Sequence, residues 1–133
     1  MFSKGIEREN VNPIVETRDD VFIYDDRSLA LQVLINVIKN AIEAMNNMKE
    51  GKHLRIILMK DGSRFAHIKI SDSGIGIPEE DIDQVFIPFF STKKDGSGIG
   101  LSISRQIMQK QRGDITVESL PGTGSAFTLS FIC

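Results

Sequence analysis

Residues Asp72–Ile103 read DSGIGIPEEDIDQVFIPFFSTKKDGSGIGLSI. Two glycine-rich turns, Asp72-Ser-Gly-Ile-Gly76 and Gly96-Ser-Gly-Ile-Gly100, bracket an apolar segment with neither a helical nor a strand period. The first turn follows a strand-like run, and the second opens a helix-like one. A loop strung between two turns that expose their backbone is what a nucleotide site with a lid requires.

Working outward, Leu54–Met59 and Phe65–Ile70 are strand-like runs joined by Lys60-Asp-Gly-Ser-Arg64. Asp61-Gly62 is a strong hairpin signal, so the two form an antiparallel pair. Upstream, Leu34, Val37, Ile38, Ala41, Ile42, Met45 and Met48 recur at helical spacing from Arg27 to about Met48. Asp25-Asp26 caps this helix at its N-terminus and Gly51 breaks it. Before it, Met1–Asp20 supplies one or two edge strands and Val21-Phe-Ile-Tyr24 a short one. Downstream, Pro78-Glu-Glu-Asp81 starts a short helix, with proline in its first turn. A second long helix runs from Gly98 to Gln111, ended by Gly113. Ile115–Glu118 and Ser125–Ile132 alternate as strands around the turn Pro121-Gly122-Thr-Gly124. This order predicts one domain over residues 1–133, a two-layer α/β sandwich with helices packed on one face of a mixed sheet.

The bulk numbers narrow the function. The 133 residues suffice for one unstapled core. A net charge of −2 gives no basic field for nucleic acid or for an anionic membrane surface. The single cysteine, Cys133, forms no internal disulfide and fits a reducing compartment. No apolar run approaches eighteen residues and Met1 opens no signal-peptide pattern, so a cytoplasmic location is expected, with a parent protein able to be membrane-anchored.

Asn36, Asn40, Glu43 and Asn47 lie at spacings of four, three and four, within a stripe of roughly 60° on the first helix. A polar stripe is ordinarily a solvated face. Asparagine is a poor helix former, however, and its amide oxygen can ligate Mg²⁺ while phosphates and water fill the remaining positions. Asp72 reads either as turn chemistry or as a carboxylate on a pocket floor, accepting from an exocyclic amine such as adenine N6. The turn at Gly96–Gly100 places unpaired N–H groups and a positive helix end where phosphate can bind, with Lys93 and Lys94 nearby. It is neither a dinucleotide fingerprint nor a P-loop. Phe86-Ile-Pro-Phe-Phe90 fits an aromatic lid better than core, because proline breaks a central element. Gly122 and Gly124 read as a hairpin turn. His53 and His67 have no acidic or cysteine partner at ligand spacing and are structural. No Ser/His/Asp triad or zinc pattern is visible.

Taken in order, these segments resemble the ATP-binding catalytic domain of two-component sensor histidine kinases. That family belongs to the wider ATPase group that includes gyrase, mismatch-repair ATPases and chaperones. Asn36-Val-Ile-Lys-Asn40-Ala-Ile-Glu-Ala44 resembles its asparagine box, and Asp72-Ser-Gly74-Ile-Gly76 its first glycine box. Phe86–Lys93 resembles the phenylalanine box, Gly96–Ile103 the second glycine box and Gly122–Phe127 the last. The resemblance implies the Bergerat ATP-binding fold, ATP and Mg²⁺ as ligands, and a role for each matching residue. Asn40 ligates the metal, while Asn36 and Lys39 lie at the phosphates. Asp72, with Gly74 and Gly76, reads the adenine. Lys93, Gly96, Gly98, Gly100 and Leu101 complete the phosphate cradle, and residues 83–97 form the lid. The implied partner is a histidine-bearing dimerisation domain, with a response regulator downstream. Neither histidine here has the phosphoacceptor setting, so this chain, expected to be a monomer, does not phosphorylate itself. Ala44 stands where many relatives have an aromatic residue, and the usual closing proline is missing after Phe131-Ile-Cys133.

Two other readings share parts of this pattern. An ATP-hydrolysing clamp and an anti-sigma-factor-like serine kinase both carry a glutamate base at the position of Asn36, and an amide cannot accept that proton. A binding-only module would not require every box.

Overall fold

The predicted hairpin forms the centre of the sheet. In a computed structural model, which describes residues 11–20, 22, 26–90 and 100–133, strand β1 spans Asn12–Thr17, helix α1 Arg27–Glu43, β2 His53–Lys60 and β3 Phe65–Asp72. A 3₁₀ helix follows at Glu79–Gln84, then helix α2 at Gly100–Lys110, β4 at Asp114–Leu120 and β5 at Gly124–Ile132. The strand order is β1-β2-β3-β5-β4. β1 runs parallel to β2, and the other three pairings are antiparallel. Both helices cover the same face, so the expected two-layer α/β sandwich is the fold found.

Local chemistry accounts for the elements. Asp26 Oδ1 accepts from Leu29 N–H at 3.1 Å and caps α1, which removes one orphan donor of the first turn. The apolar stripe of α1 buries Ala30, Val33, Val37, Ile38 and Ala41. These pack on Leu54, Ile70, Phe127, Leu129 and Phe131 from the sheet and on Met108 from α2. Full burial of each large side chain contributes about 1.5–3 kcal/mol. At the β2–β3 turn Asp61 Oδ1 accepts from Ser63 N–H at 2.8 Å, and Gly62 takes φ +81°, a left-handed conformation that glycine adopts without strain.

Two boundaries differ from expectation. α1 stops at Glu43, and the chain continues through turns that still bury Met45 completely. Asn46-Asn47 explains this, since asparagine bonds to nearby backbone and disfavours the helix. Asn47 is therefore exposed and off the polar stripe. Gly51, with φ +75°, turns the chain toward β2 instead of ending the helix. The strand expected at Val21–Tyr24 and any strand before Val11 lie outside the described residues. No helix among the described residues is long and apolar enough to cross a membrane.

The face opposite the helices carries a partnership that sequence spacing missed. His67 Nε2 lies 2.7 Å from Asp61 Oδ2, across the hairpin turn, and its Nδ1 lies 2.8 Å from Ser130 Oγ on β5. The bonds run in Ser–His–Asp order. Ser130 sits in the middle of the ladder, paired to β3 and β4, where backbone donors are committed to neighbouring strands. The group ties the hairpin to β5, a structural role as expected for His67, with an acidic partner that was not.

Candidate functional site

Asp72 ends β3 and is buried at 8% relative exposure. Gly74 N–H donates to its Oδ1 at 2.8 Å, and Ser125 Oγ donates to its Oδ2 at 3.1 Å. These two hydrogen bonds, one on each oxygen, fix the carboxylate. The loop beyond it is held on both sides. Ile75 N–H donates to Ala44 O at the end of α1, and Gly122 N–H donates to Ile75 O at 2.7 Å. Ser119 Oγ accepts from Ile77 N–H at 2.6 Å and donates to Gly124 O at 3.1 Å. Ser73 Oγ donates to Gly51 O at 2.6 Å and accepts from His53 N–H at 2.8 Å.

This wedge explains the glycines differently from the sequence argument. A Cβ on Gly74 would lie 2.5 Å from Ala44 O, and one on Gly76 2.4 Å from Leu120 O. One on Gly124 would lie 2.0 Å from Asp72 O. Real Cβ atoms do not approach backbone so closely, so these glycines are required by protein packed against protein. Gly124 is therefore a contact as well as a turn residue, whereas Gly122, with φ +82° and open space around it, is a turn residue alone. Gly100 is different again. Among the described residues its Cβ would meet nothing within 4 Å, and no positive φ accounts for it.

α1 supplies the adjoining wall. Ala44 N–H donates to Asn40 O at 3.0 Å, so the helix turn that carries Asn40 is the one fastened to the Asp72 loop through Ala44. One turn earlier, Asn36 Nδ2 donates to Ser104 Oγ on α2 at 3.2 Å and approaches Gly100 O at 3.5 Å. Lys39 is exposed on α1, and Leu101 packs half-buried against the core. The fold thus gathers Asn36, Asn40, Asp72, Gly74, Gly76, Gly100 and Leu101 at one end of the sheet, beside the α1–α2 seam. Lys93, Gly96 and Gly98 lie outside the described residues. Two cavities of about 400 and 250 Å³ sit at the opposite end, lined by residues such as Arg64, Lys110, Arg112 and Ser130. They contain none of the candidate residues.

The phenylalanine segment divides in two. Phe86 packs against the core, edge-on to Phe127 with ring centroids 6.3 Å apart, and carries the Arg105 guanidinium 4.5 Å above its ring. Phe89 is 79% exposed, with φ +68°. Within the expected lid, Phe86 is therefore the point at which the segment is anchored to the core. The residues missed from sequence are the serines Ser73, Ser104, Ser119 and Ser125. Single hydroxyls have no spacing signature, although Ser73 lies between Asp72 and Gly74 and Ser125 lies next to Gly124, all three of which drew attention.

An amide oxygen on α1 such as that of Asn40 would suit Mg²⁺, which keeps several waters and takes oxygens from phosphates. Among the described residues no cluster of three or more His, Cys, Asp or Glu groups offers an all-protein cage.

Residues 25–132 match the family described as histidine kinase-, DNA gyrase B- and HSP90-like ATPases. Sporulation kinase A of Bacillus subtilis (strain 168) is 38% identical over 114 residues, 86% of this chain and 18% of that protein. The chain thus spans less than a fifth of that relative's length. The solved catalytic domain of the histidine kinase ThkA, in a nucleotide-free form, is 34% identical, with a TM-score of 0.84 over 98% of this chain and 84% of that one. ThkA solved in complex with the response regulator protein TrrA aligns with a TM-score of 0.80 at 32% identity, over 98% of this chain and 36% of that one. On the strength of the family match and the sheet topology, this chain belongs to the histidine kinase-, gyrase B- and HSP90-like ATPase family, as a catalytic domain of the sensor histidine kinase type.

Proposed function

We infer that the domain binds MgATP at the α1–α2 end of the sheet and donates the γ-phosphoryl group to a histidine on a separate dimerisation domain. The observation that carries this reading is Asp72. It is a buried carboxylate at a strand end, oriented by Gly74 and Ser125, within a loop fastened to the helix that bears Asn36 and Asn40. The carboxylate accepts from the adenine amino group. The start of α2 at Gly100, clear of any Cβ contact, receives phosphate with Gly96, Gly98, Leu101 and Lys93, helped by the helix dipole. Asn40 holds the metal, which when bound neutralises phosphate charge. Lys39 reaches a phosphate, Asn36 lies beside the phosphates and their metal, and residues 83–97 close over the nucleotide from the Phe86 anchor.

Catalysis on this reading is positioning and charge neutralisation. The γ-P–O bond breaks as a histidine nitrogen of the partner domain bonds phosphorus, and ADP leaves. The nucleophile lies outside this chain, so the isolated domain binds without phosphorylating itself. A response regulator, such as the one solved with ThkA, then takes the phosphoryl group from that histidine. The hydrolysing clamp is disfavoured because Asn36 presents an amide where a base is required.

Calorimetric titration of the isolated chain with ATP and GTP, with and without Mg²⁺, tests this. ATP binds in a Mg²⁺-dependent manner, and GTP, which lacks an amino donor at that edge, binds at least about 100-fold more weakly. Equal affinities overturn the adenine role of Asp72. The parent kinase incubated with γ-labelled ATP should carry label that is lost in acid and kept in alkali. Steady phosphate release without label would favour the clamp.

A further inference from the structure

Ser104 lies inside α2, fully buried at the seam with α1. Alanine suits a helix interior better, and a buried hydroxyl is unfavourable unless bonded. The choice of serine therefore asks for a partner. Among the described residues its one hydrogen-bond partner is Asn36, whose Nδ2 donates to Ser104 Oγ at 3.2 Å. The same nitrogen approaches the Gly100 carbonyl at 3.5 Å. A backbone carbonyl only accepts, so the edge of Asn36 facing α2 is its NH₂ edge. The reversed amide would set two acceptors against each other. Being planar, the carboxamide then offers Oδ1 away from α2.

We propose that Ser104 is a positioning residue for the nucleotide site, holding the Asn36 carboxamide so that it presents an oxygen acceptor and not an NH₂ donor beside α1. This rests on the MgATP reading given above. An acceptor suits a cation or a cation-bound water and repels phosphate oxygen. Asn36 therefore serves the metal side of the nucleotide, and Ser104 acts through it. With Ser104 removed, the amide is free to turn, and its NH₂ seeks other partners.

The test uses wild type, Ser104→Ala, Asn36→Ala and the double variant. In ¹⁵N-labelled chain, the Asn36 side-chain NH₂ protons exchange slowly in wild type and faster in Ser104→Ala. Affinity for a non-hydrolysable ATP analogue is measured by calorimetry with and without Mg²⁺. Ser104→Ala loses about three- to tenfold with Mg²⁺ and little without it, and the double variant matches Asn36→Ala, as expected for residues acting as one unit. Should the alanine variant melt early, Ser104→Cys keeps the volume with a weaker acceptor, and its affinity falls between the two. A Ser104→Ala protein that binds MgATP analogue like wild type overturns the proposal alone. So does a loss that persists undiminished in the Asn36→Ala background. A wild type that binds no nucleotide overturns the site reading and the proposal with it.

Discussion

Alanine at Gly100 and alanine at Gly124 should have opposite effects. At Gly124 the new methyl would sit 2.0 Å from Asp72 O, 3.0 Å from Asp72 C and 3.1 Å from Ser73 Cα. Every obstacle is backbone, so relief requires β3 and β5 to part by about 1 Å at Asp72, in a register that pairs Asp72 with Ser125. The residue also has φ +134°, a conformation that L side chains avoid. Overpacking alone costs about 1–3 kcal/mol, and the backbone strain adds about 1–2 kcal/mol. The sum is about 3 kcal/mol or more, a fall in Tm of about 10 °C for a domain of this size. At Gly100 the methyl meets none of the described residues within 4 Å, and alanine in a helix is favoured over glycine by about 0.5–1 kcal/mol. Gly100→Ala should therefore melt no earlier than wild type, yet lose about tenfold or more in MgATP affinity, about 1.4 kcal/mol, because the methyl occupies the phosphate approach. Urea melts and calorimetry on the same preparations read both quantities. A Gly100→Ala protein that binds ATP like wild type refutes the cradle, and a Gly124→Ala protein as stable as wild type refutes the packing argument.

Further outcomes follow from other contacts. Phe86→Ala should cost about 2–3 kcal/mol, from lost packing on Phe127 and the lost Arg105 contact, whereas Phe89→Ala at an exposed position should change stability by less than about 0.5 kcal/mol; equal effects in urea melts would contradict the division of that segment. Asp26→Ala removes the α1 cap and should cost about 1 kcal/mol, read the same way. Hydrogen bonds from His67 and then Ser63 hold the Asp61 carboxyl well below the usual carboxylate range. A depressed carboxylate stabilises the fold above its unfolded pKa, near 4, and that contribution fades as pH falls toward the folded value. Wild type should therefore lose Tm more steeply than Asp61→Asn below about pH 4, and parallel acid limbs in a pH series of thermal melts would refute it.

Some of this was legible in the chain because it is local. The 3.6-residue period of Leu34, Val37, Ile38 and Ala41, the Asp61-Gly62 turn and the alternation of Ser125–Ile132 each depend on neighbours within a few positions. The boxes are short strings in fixed order, so they named the family. The end of α1 was misjudged because apolar Met45 and Met48 continue the period after the backbone has left the helix. Burial selects those side chains whatever the local conformation.

Sequence by itself determined the order of the described elements, the family, and several residues that the fold places at one end of the sheet, Asn36, Asn40 and Asp72 among them, while Lys93, Gly96 and Gly98 lie outside the described residues. Tertiary structure decided what those residues do to one another. Whether a glycine is needed for a ligand or for the chain itself depends on what lies opposite its Cα. At Gly74, Gly76 and Gly124 that is backbone from Ala44, Leu120 and Asp72, and at Gly100 none of the described residues comes within 4 Å. The hydroxyls that orient the site act across separations of 53 positions from Asp72 to Ser125 and 68 from Asn36 to Ser104. Hydrogen bonds report distance in space, and no local pattern of residues encodes that distance until the sheet and the two helices have closed around it.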